Sequence, residues 1–407
     1  GKPVYAGTPV ISDGETNGTE SMRYSLPSRE LIADAIEIMY EGYMCDACIT
    51  LSGCDKTVPA ALMPLARTNA VSLTVYGGTA MPGQCKGFVN THGGSGLDAK
   101  DVMEAIGAFE IGRIDEETFN KIERHALPGS GTCSAMFTAN TMSSAIEALG
   151  MSLPGCASMP ALSQSKQEEC RHAVYALFHL MREGIKPRDI ITKKAFENSI
   201  AVAYALGGST NMILHLLAIA QEADVPLSID DFDRIGKNIP LIANLSPHGA
   251  FHMSDLDKIG GIPVVMKELL EGGYIHGDAL TVTGKTVAEN LANTPLINDL
   301  SPKQDILRPL CDPISFPGTH ISILRGNLCP DTAVIKLSGK DIKEFEGRAV
   351  VFENEFAAYE AIVRGEIRPG DVVVIRNEGP RGSPGMPEML SPSAALIGGW
   401  LPHLIYN

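Results

Sequence analysis

The chain has 407 residues, 44% of them hydrophobic and 20% charged, which is too long for one small core and ordinary for a globular protein, so two domains are expected. A formal net charge of -15 argues against nucleic acid or an anionic membrane surface as the main partner and points to a small ligand. No stretch reaches the roughly 18 consecutive apolar residues of a membrane span, and the first residues carry neither a signal nor a transit pattern, so a soluble protein is expected.

Nine cysteines, an odd number scattered without the dense spacing of a disulfide scaffold, suit a reducing compartment, cytoplasmic or organellar. In chain order, the first motif is Ser12-Asp13-Gly14, turn chemistry that exposes a carboxylate and makes Asp13 a candidate hard-metal ligand, or else a plain turn residue. Ser28 is expected to cap an amphipathic helix with Leu31, Ile32, Ala35, Ile36 and Met39 on its apolar face, ending near Gly42. Asp46 to Leu51 reads as a buried strand. That places Cys48 in the core and weakens a zinc or redox reading of the Cys45-x-x-Cys48 pair, which has no second pair or paired His.

Cys54-Asp55-Lys56 follows at the carboxyl edge of that strand, where ligands collect in open α/β sheets. A soft ligand beside a hard one suggests two metal centres meeting there, and the alternative is a core thiol next to a surface ion pair. Val71 to Tyr76 forms the next strand, closed by Gly77-Gly78-Thr79, and helices are expected over 99–111 and 115–124. The Gly-rich loop Pro128 to Thr132 then delivers Cys133 to the start of a helix running to about Leu149. A thiol at a helix N-terminus is predisposed to ionise, so Cys133 is a candidate nucleophile or iron ligand, the ligand being favoured because Cys54 is a second loop thiol.

Residues 164–223 read as helical, broken at Gly184–Pro187 and at Gly207-Gly208-Ser209-Thr210-Asn211. The second break places Ser209 and Thr210 at a helix start suited to a carboxylate, or serves simply as a cap. His215, inside the following apolar helix, reads as a core histidine, as do His125, His179 and His320. Beyond residue 300, short strands at 321–324, 333–337, 348–352 and 372–375, with a helix near 356–364, suggest a smaller β-rich domain. The Gly- and Pro-rich loop from Glu378 to Met389 presents Glu388 as a third hard ligand, or is an ordinary surface loop. The expected fold is therefore α/β: a doubly wound domain over 1–300 and an incomplete, β-rich, barrel-like domain over 301–407.

Five segments together, Ser25 to Glu30, Cys54 to Lys56, Met136 to Met142, Gly207 to Asn211 and Glu378 to Met389, resemble the dihydroxy-acid dehydratase family, which includes the 6-phosphogluconate and other sugar-acid dehydratases. The resemblance extends to about Leu396, with Phe137 where many relatives carry tyrosine. It implies that Cys54 and Cys133 hold an iron-sulfur cluster, 2Fe-2S rather than 4Fe-4S given the Gly77-Gly78-Thr79 segment. It also implies Mg²⁺ on Asp13, Asp55, Glu388 and a carbamylated Lys56, and a homodimer.

A third cluster cysteine is expected upstream of Gly1 and the family's catalytic serine beyond the Glu388 loop, so neither falls in these 407 residues. Glu15, Asn17 and Ser21 stand where relatives usually have Ile, Met and Gly, next to Asp13. The implied reaction is hydro-lyase chemistry, removal of water from a 2,3-dihydroxy-3-methyl carboxylate to give a 2-keto acid in valine and isoleucine biosynthesis. Alternatives are a sugar-acid (aldonate) dehydratase, which Glu15 and Asn17 would suit, an inhibitor-insensitive paralogue, and a non-catalytic binding homologue.

Overall fold

The computed structural model describes residues 1–85, 96–340, 342, 344–379 and 385–400. The chain opens on a one-turn helix α1 (Asp13–Thr16), a 3-10 turn (Glu20–Tyr24) and α2 (Ser25–Gly42), followed by β1 (Cys48–Ser52), α3 (Thr57–Thr68) and β2 (Ser72–Tyr76). Then come α4 (Ala99–Glu110), α5 (Glu116–His125), α6 (Thr138–Leu149), α7 (Gln164–Glu183), α8 (Pro187–Ile190), α9 (Lys193–Ala205), α10 (Asn211–Glu222) and α11 (Ile229–Gly236). α12 (Met253–Lys258), α13 (Gly261–Glu271) and α14 (Val287–Asn290) precede β3 (Ile321–Leu324), β4 (Ala333–Lys336), β5 (Arg348–Phe352), α15 (Glu355–Val363), β6 (Asp371–Ile375) and α16 (Leu390–Trp400). The chain divides into two compact units, the first of Gly1–Pro9, Ile32–Ala80 and Ser130–Asp341, the second of Val10–Leu31, Met81–Gly129 and Ile342–Asn407.

At the centre of the first unit lie two helices, α3 and α6, that are buried on nearly every side. α3 is buried from Thr57 to Ala66 and α6 over its whole length, which is the pattern of a core helix. Small residues let α6 and α9 approach closely enough for the Ser199 hydroxyl to donate to the Ala145 carbonyl at 2.6 Å. Around them pack Leu62, Leu65, Phe196, Leu216 and Phe232, each contributing roughly 1.5–3 kcal/mol of burial. Arg67 at the end of α3 ties in two neighbours, with a bidentate contact to Glu222 at 2.7 and 2.9 Å and an ion pair to Asp34 at 2.9 Å.

β1 and β2 pair in parallel from Cys48↔Ser72 to Ser52↔Tyr76, with α3 as the crossover. Past β2 the ladder continues as single bridges from Thr79 to Thr132 and to Pro160. The expected buried strand is instead half exposed: Thr50 and Ser52 face inward while Ile49 and Leu51 face out, the alternation of a strand covered on one side only. β3 and β4 form an antiparallel ladder that also belongs to this unit.

In the second unit β5, α15 and β6 make a parallel βαβ element. α16 lies directly on α4, so close that a Cβ on Gly107 would sit 2.8 Å from the Ala394 carbonyl and the Ala395 Cα. Among the described residues the strands after 300 form two separate two-stranded ladders and no closed barrel, because no strand there has partners on both edges. The architecture is mixed α/β.

Two helix starts differ from expectation. α2 begins at Ser25, a turn before Ser28, whose hydroxyl donates back to the Ser25 carbonyl at 2.6 Å instead of capping. α6 begins at Thr138, five residues after Cys133. Helices α4, α5, α7 and α10 and all four late strands fall within a residue or two of their expected places, whereas the single helix expected between the Gly184–Pro187 and Gly207–Asn211 breaks is split into α8 and α9.

Candidate active site

The loop after β1 is fixed by the first residue of α3. The Thr57 hydroxyl accepts from the N–H groups of Gly53 at 3.2 Å and Cys54 at 2.8 Å, and donates to the Cys54 carbonyl at 2.9 Å. Lys56 occupies the N-cap of α3 with its side chain fully buried, and its Nζ donates to Asp55 Oδ2 at 2.9 Å. Asp55 Oδ1 lies 3.4 Å from Nε2 of His215, which is also fully buried. A histidine of α10 expected to fill the core does so and also faces a candidate metal ligand.

Cys133 is presented by a bent segment, not by a helix start. The Asn140 side chain in the first turn of α6 reaches back and donates to the carbonyls of Cys133 at 2.5 Å and Ala135 at 2.6 Å. Its Oδ1 accepts from the Tyr76 hydroxyl at 2.8 Å, and that hydroxyl also meets Thr132 Oγ1 at 2.5 Å. Gly131 adopts φ +135°, and a Cβ there would sit 2.6 Å from the backbone of Thr79 and Ala80, so only glycine lets the loop lie against the end of β2.

Gly53 approaches Thr132 Cγ2, with an added Cβ 3.6 Å away, so the Cys54 and Cys133 loops are neighbours. Both thiols act on Tyr76, whose phenol is held well above its ordinary pKa first by burial, then by Cys133 and, more weakly, Cys54. The two expected cluster ligands are thus gathered at the carboxyl ends of β1 and β2, around one tyrosine.

The Gly207 to Asn211 turn carries a hydroxyl relay. The Asn211 amide donates to Thr138 Oγ1 at 3.1 Å, Thr138 donates to Ser209 Oγ at 2.8 Å, and the Asn211 N–H donates to the same Ser209 oxygen at 3.2 Å. With two bonds already accepted, Ser209 has its own proton left to donate. Thr210 is the N-cap of α10 and makes no side-chain capping bond.

In the second unit Asp13 is buried at the start of α1, and its Oδ1 accepts from the Ser25 hydroxyl. The Glu388 loop rests on the same region. A Cβ on Gly385 would run into the Arg23 backbone, and one on Gly18 would meet Ser391. Ligand oxygens of Asp13 and Glu388 come within 4.8 Å of each other. Glu378, in contrast, accepts from the Glu355 N–H, the first of α15, at 2.9 Å, beside the N-cap Asn354. Glu15 is exposed beside Asp13, as is Ser21, and Asn17 is half buried.

Cys45 and Cys48 are free thiols, and burial followed by the neighbouring Cys45 pushes Cys48 up to about 11. Among the described residues no further ligand joins them in a metal-sized cluster. No individual role is legible in the sequence for Tyr76, Thr132, Thr138 or Asn140. Thr138 and Asn140 belong to the Met136 to Met142 segment that carries the resemblance, while Tyr76 and Thr132 are marked only by being polar inside apolar or Gly-rich stretches.

Residues 1–290 match the N-terminal, and residues 305–404 the C-terminal, description of the dihydroxy-acid/6-phosphogluconate dehydratase family. The chain is 51% identical over 400 residues to a dihydroxy-acid dehydratase of Methylococcus capsulatus, covering 98% of this chain and 69% of the relative. It is 51% identical over 396 residues to dihydroxy-acid dehydratase 2 of Staphylococcus saprophyticus, covering 97% and 68%. A dihydroxy-acid dehydratase of a Synechococcus strain is 48% identical over 399 residues, covering 98% and 69%. The chain belongs to the dihydroxy-acid/6-phosphogluconate dehydratase family.

Proposed function

We propose that this chain is a hydro-lyase of the dihydroxy-acid dehydratase branch, which removes water from 2,3-dihydroxy-3-methyl carboxylates to give the 2-keto acids of valine and isoleucine biosynthesis. The observation that carries the reading is identity of 48–51% to dihydroxy-acid dehydratases along 97–98% of the chain. Elimination breaks the C2–H and C3–O bonds, and the enol so formed tautomerises to the 2-keto acid.

The donors suit an iron-sulfur cluster on Cys54 and Cys133, read as 2Fe-2S in preference to 4Fe-4S, and Mg²⁺ on Asp13, Asp55, Glu388 and Lys56. Soft thiols are grouped round Tyr76, while hard oxygens belong to Asp55 and to the Asp13 and Glu388 pair. Bound there, the two groups would supply Lewis acidity toward the leaving hydroxyl and the substrate carboxylate. Lys56 in its ammonium form satisfies Asp55 directly. As a carbamate it would place two anions side by side, an arrangement that needs a divalent cation, so carbamylation and Mg²⁺ binding should depend on each other. The Ser209 proton, left over by the relay, is the donor we assign to a substrate oxygen, with Thr210 beside it.

The partner class is a small dihydroxy acid. A homodimer is part of the proposal, supported by the apolar outer face of α7, where Val174, Tyr175, Phe178 and Met181 are exposed. Nine free cysteines support a reducing compartment. Among the described residues no helix is long and apolar enough to cross a membrane.

The test is turnover of 2,3-dihydroxyisovalerate against an aldonic acid by the full-length protein purified without oxygen, with iron and sulfide assayed alongside. Preference for the branched substrate is expected. Equal or faster turnover of the aldonate would move the protein to the sugar-acid branch, and absence of stoichiometric iron would favour a binding homologue.

A further inference from the structure

The Gly207-Gly208 turn is held from behind by the β3–β4 hairpin. His320, just before β3, and Lys336, the last residue of β4, are neighbours at one end of that ladder, where Ile321 pairs with Lys336 and the Leu337 N–H donates to the His320 carbonyl at 2.6 Å. From there His320 Nε2 reaches the Gly208 carbonyl at 3.0 Å and Lys336 Nζ reaches the Gly207 carbonyl at 3.5 Å. The opposite edges of the same peptides are also tied, the Gly208 N–H to the Ala203 carbonyl at 2.9 Å and the Ser209 N–H to Thr141 Oγ1 at 3.0 Å. Two consecutive peptide planes are therefore gripped on both sides.

Neither glycine has room to be anything else. Gly207 has φ +77° and a Cβ there would enter the His248 ring, while one on Gly208 would lie 2.8 Å from Thr141 Cγ2. His320 is 3% exposed, packed edge-on to Tyr204 and tilted against His248. Burial, chiefly, lowers His320 to about 3, so it is a neutral donor at any working pH. Burial also lowers Lys336 to about 8.

Among the described residues Lys336 has no carboxylate partner. Lys336 is half-buried, and holding its ammonium against a carbonyl costs some desolvation that a methionine of the same length would not.

We propose that His320 and Lys336 are positioning residues for the substrate: by gripping the carbonyls of Gly208 and Gly207 they set the direction in which Ser209 offers its proton. This rests on the assignment of Ser209 as a substrate contact. Rotation of the Gly208–Ser209 peptide would swing the Ser209 side chain out of the relay from Thr138, so the grip and the donor geometry are coupled.

The test uses the full-length holoenzyme with Lys336→Met, Lys336→Arg, His320→Phe and Ser209→Ala. Backbone hydrogen exchange of residues 207–211 is read without substrate, and KM and kcat with 2,3-dihydroxyisovalerate. Lys336→Met and His320→Phe should each speed exchange of the turn and raise KM by about tenfold, with kcat and iron content nearly unchanged, as expected for loss of one oriented hydrogen bond. Lys336→Arg should recover part of both effects. A purely structural role predicts a lower melting temperature with unchanged KM. Unchanged exchange overturns the grip itself. Faster exchange with unchanged KM overturns the positioning role, and Ser209→Ala shows at which level: if it raises KM, the grip is irrelevant to a real substrate contact, and if it does not, the substrate assignment of the turn has failed first.

Discussion

Asn140→Ala removes three hydrogen bonds at once, two of them buried and the one to Cys133 partly so: two donated to the carbonyls of Cys133 and Ala135 at 2.5 and 2.6 Å, and one accepted from Tyr76 at 2.8 Å. Asn140 is fully buried, so water does not replace these partners. At roughly 0.5–1.5 kcal/mol for each net bond, with the unsatisfied carbonyls pushing toward the upper end, the expected loss of stability is roughly 2–4 kcal/mol. Tyr76→Phe removes the bonds to Asn140 and Thr132 and should cost roughly 1–2 kcal/mol.

Because Tyr76 and Asn140 touch, the double variant should cost less than the two single losses added together, by about 1 kcal/mol. Urea unfolding followed by circular dichroism gives all three values, and iron analysis of the same preparations reports on the Cys133 loop. Asn140→Ala should lose iron out of proportion to its loss of fold, whereas Tyr76→Phe leaves the two carbonyl bonds in place and should retain more. A cost under about 1 kcal/mol for Asn140→Ala, with normal iron, would refute the claim that this side chain shapes the loop.

Lys56→Arg should lose Mg²⁺ affinity and activity, since a guanidinium stays cationic and is not carbamylated in the same way. Depletion of dissolved CO₂ should have a similar effect on the unaltered protein, reversed by bicarbonate and Mg²⁺ together, and normal Mg²⁺-dependent turnover by the variant would reduce Lys56 to a buried partner of Asp55. Gly131→Ala forces a Cβ against the Ala80 backbone at φ +135° and should cost at least about 2 kcal/mol and most of the bound iron, read by unfolding and iron content. Burial pushes the Glu147 carboxyl from 4.5 up to about 7, against the N–H groups of Gly155 and Ala157 that it accepts from. Its folded pKa lies above the unfolded one, so its contribution is complete below about pH 4.5 and is lost as pH rises through 7, by roughly 3 kcal/mol. Glu147→Gln should flatten that fall in the urea midpoint between about pH 5 and 7.5; an unchanged slope would assign it to other groups.

Local chemistry made much of this protein legible from its residues. Gly184 and Gly207 each take a positive φ and end helices where the pattern breaks, and the βαβ rhythm around α15 is legible in the Val-rich runs of β5 and β6 bounded by Gly and Pro. The family likewise follows from contiguous segments, since Cys54-Asp55-Lys56 and Gly207 to Asn211 are each read within a few residues. Tertiary structure decided what those segments touch. β1 is half exposed because only one of its faces is covered, a fact about its neighbours that its own apolar run does not contain. α6 starts at Thr138, because Asn140 turns back to hold Cys133 and Ala135 in a bend instead of a helical turn. Tyr76 and Asn140 are 64 residues apart, Gly208 and His320 are 112 apart, and Gly207 and Lys336 are 129 apart. Periodicity reports which face of an element avoids water, but a hydrogen bond between distant polar groups is specified only once the intervening chain has packed, so His215 and His320 are buried as their apolar surroundings imply while the Gly208 partner of His320 was not legible.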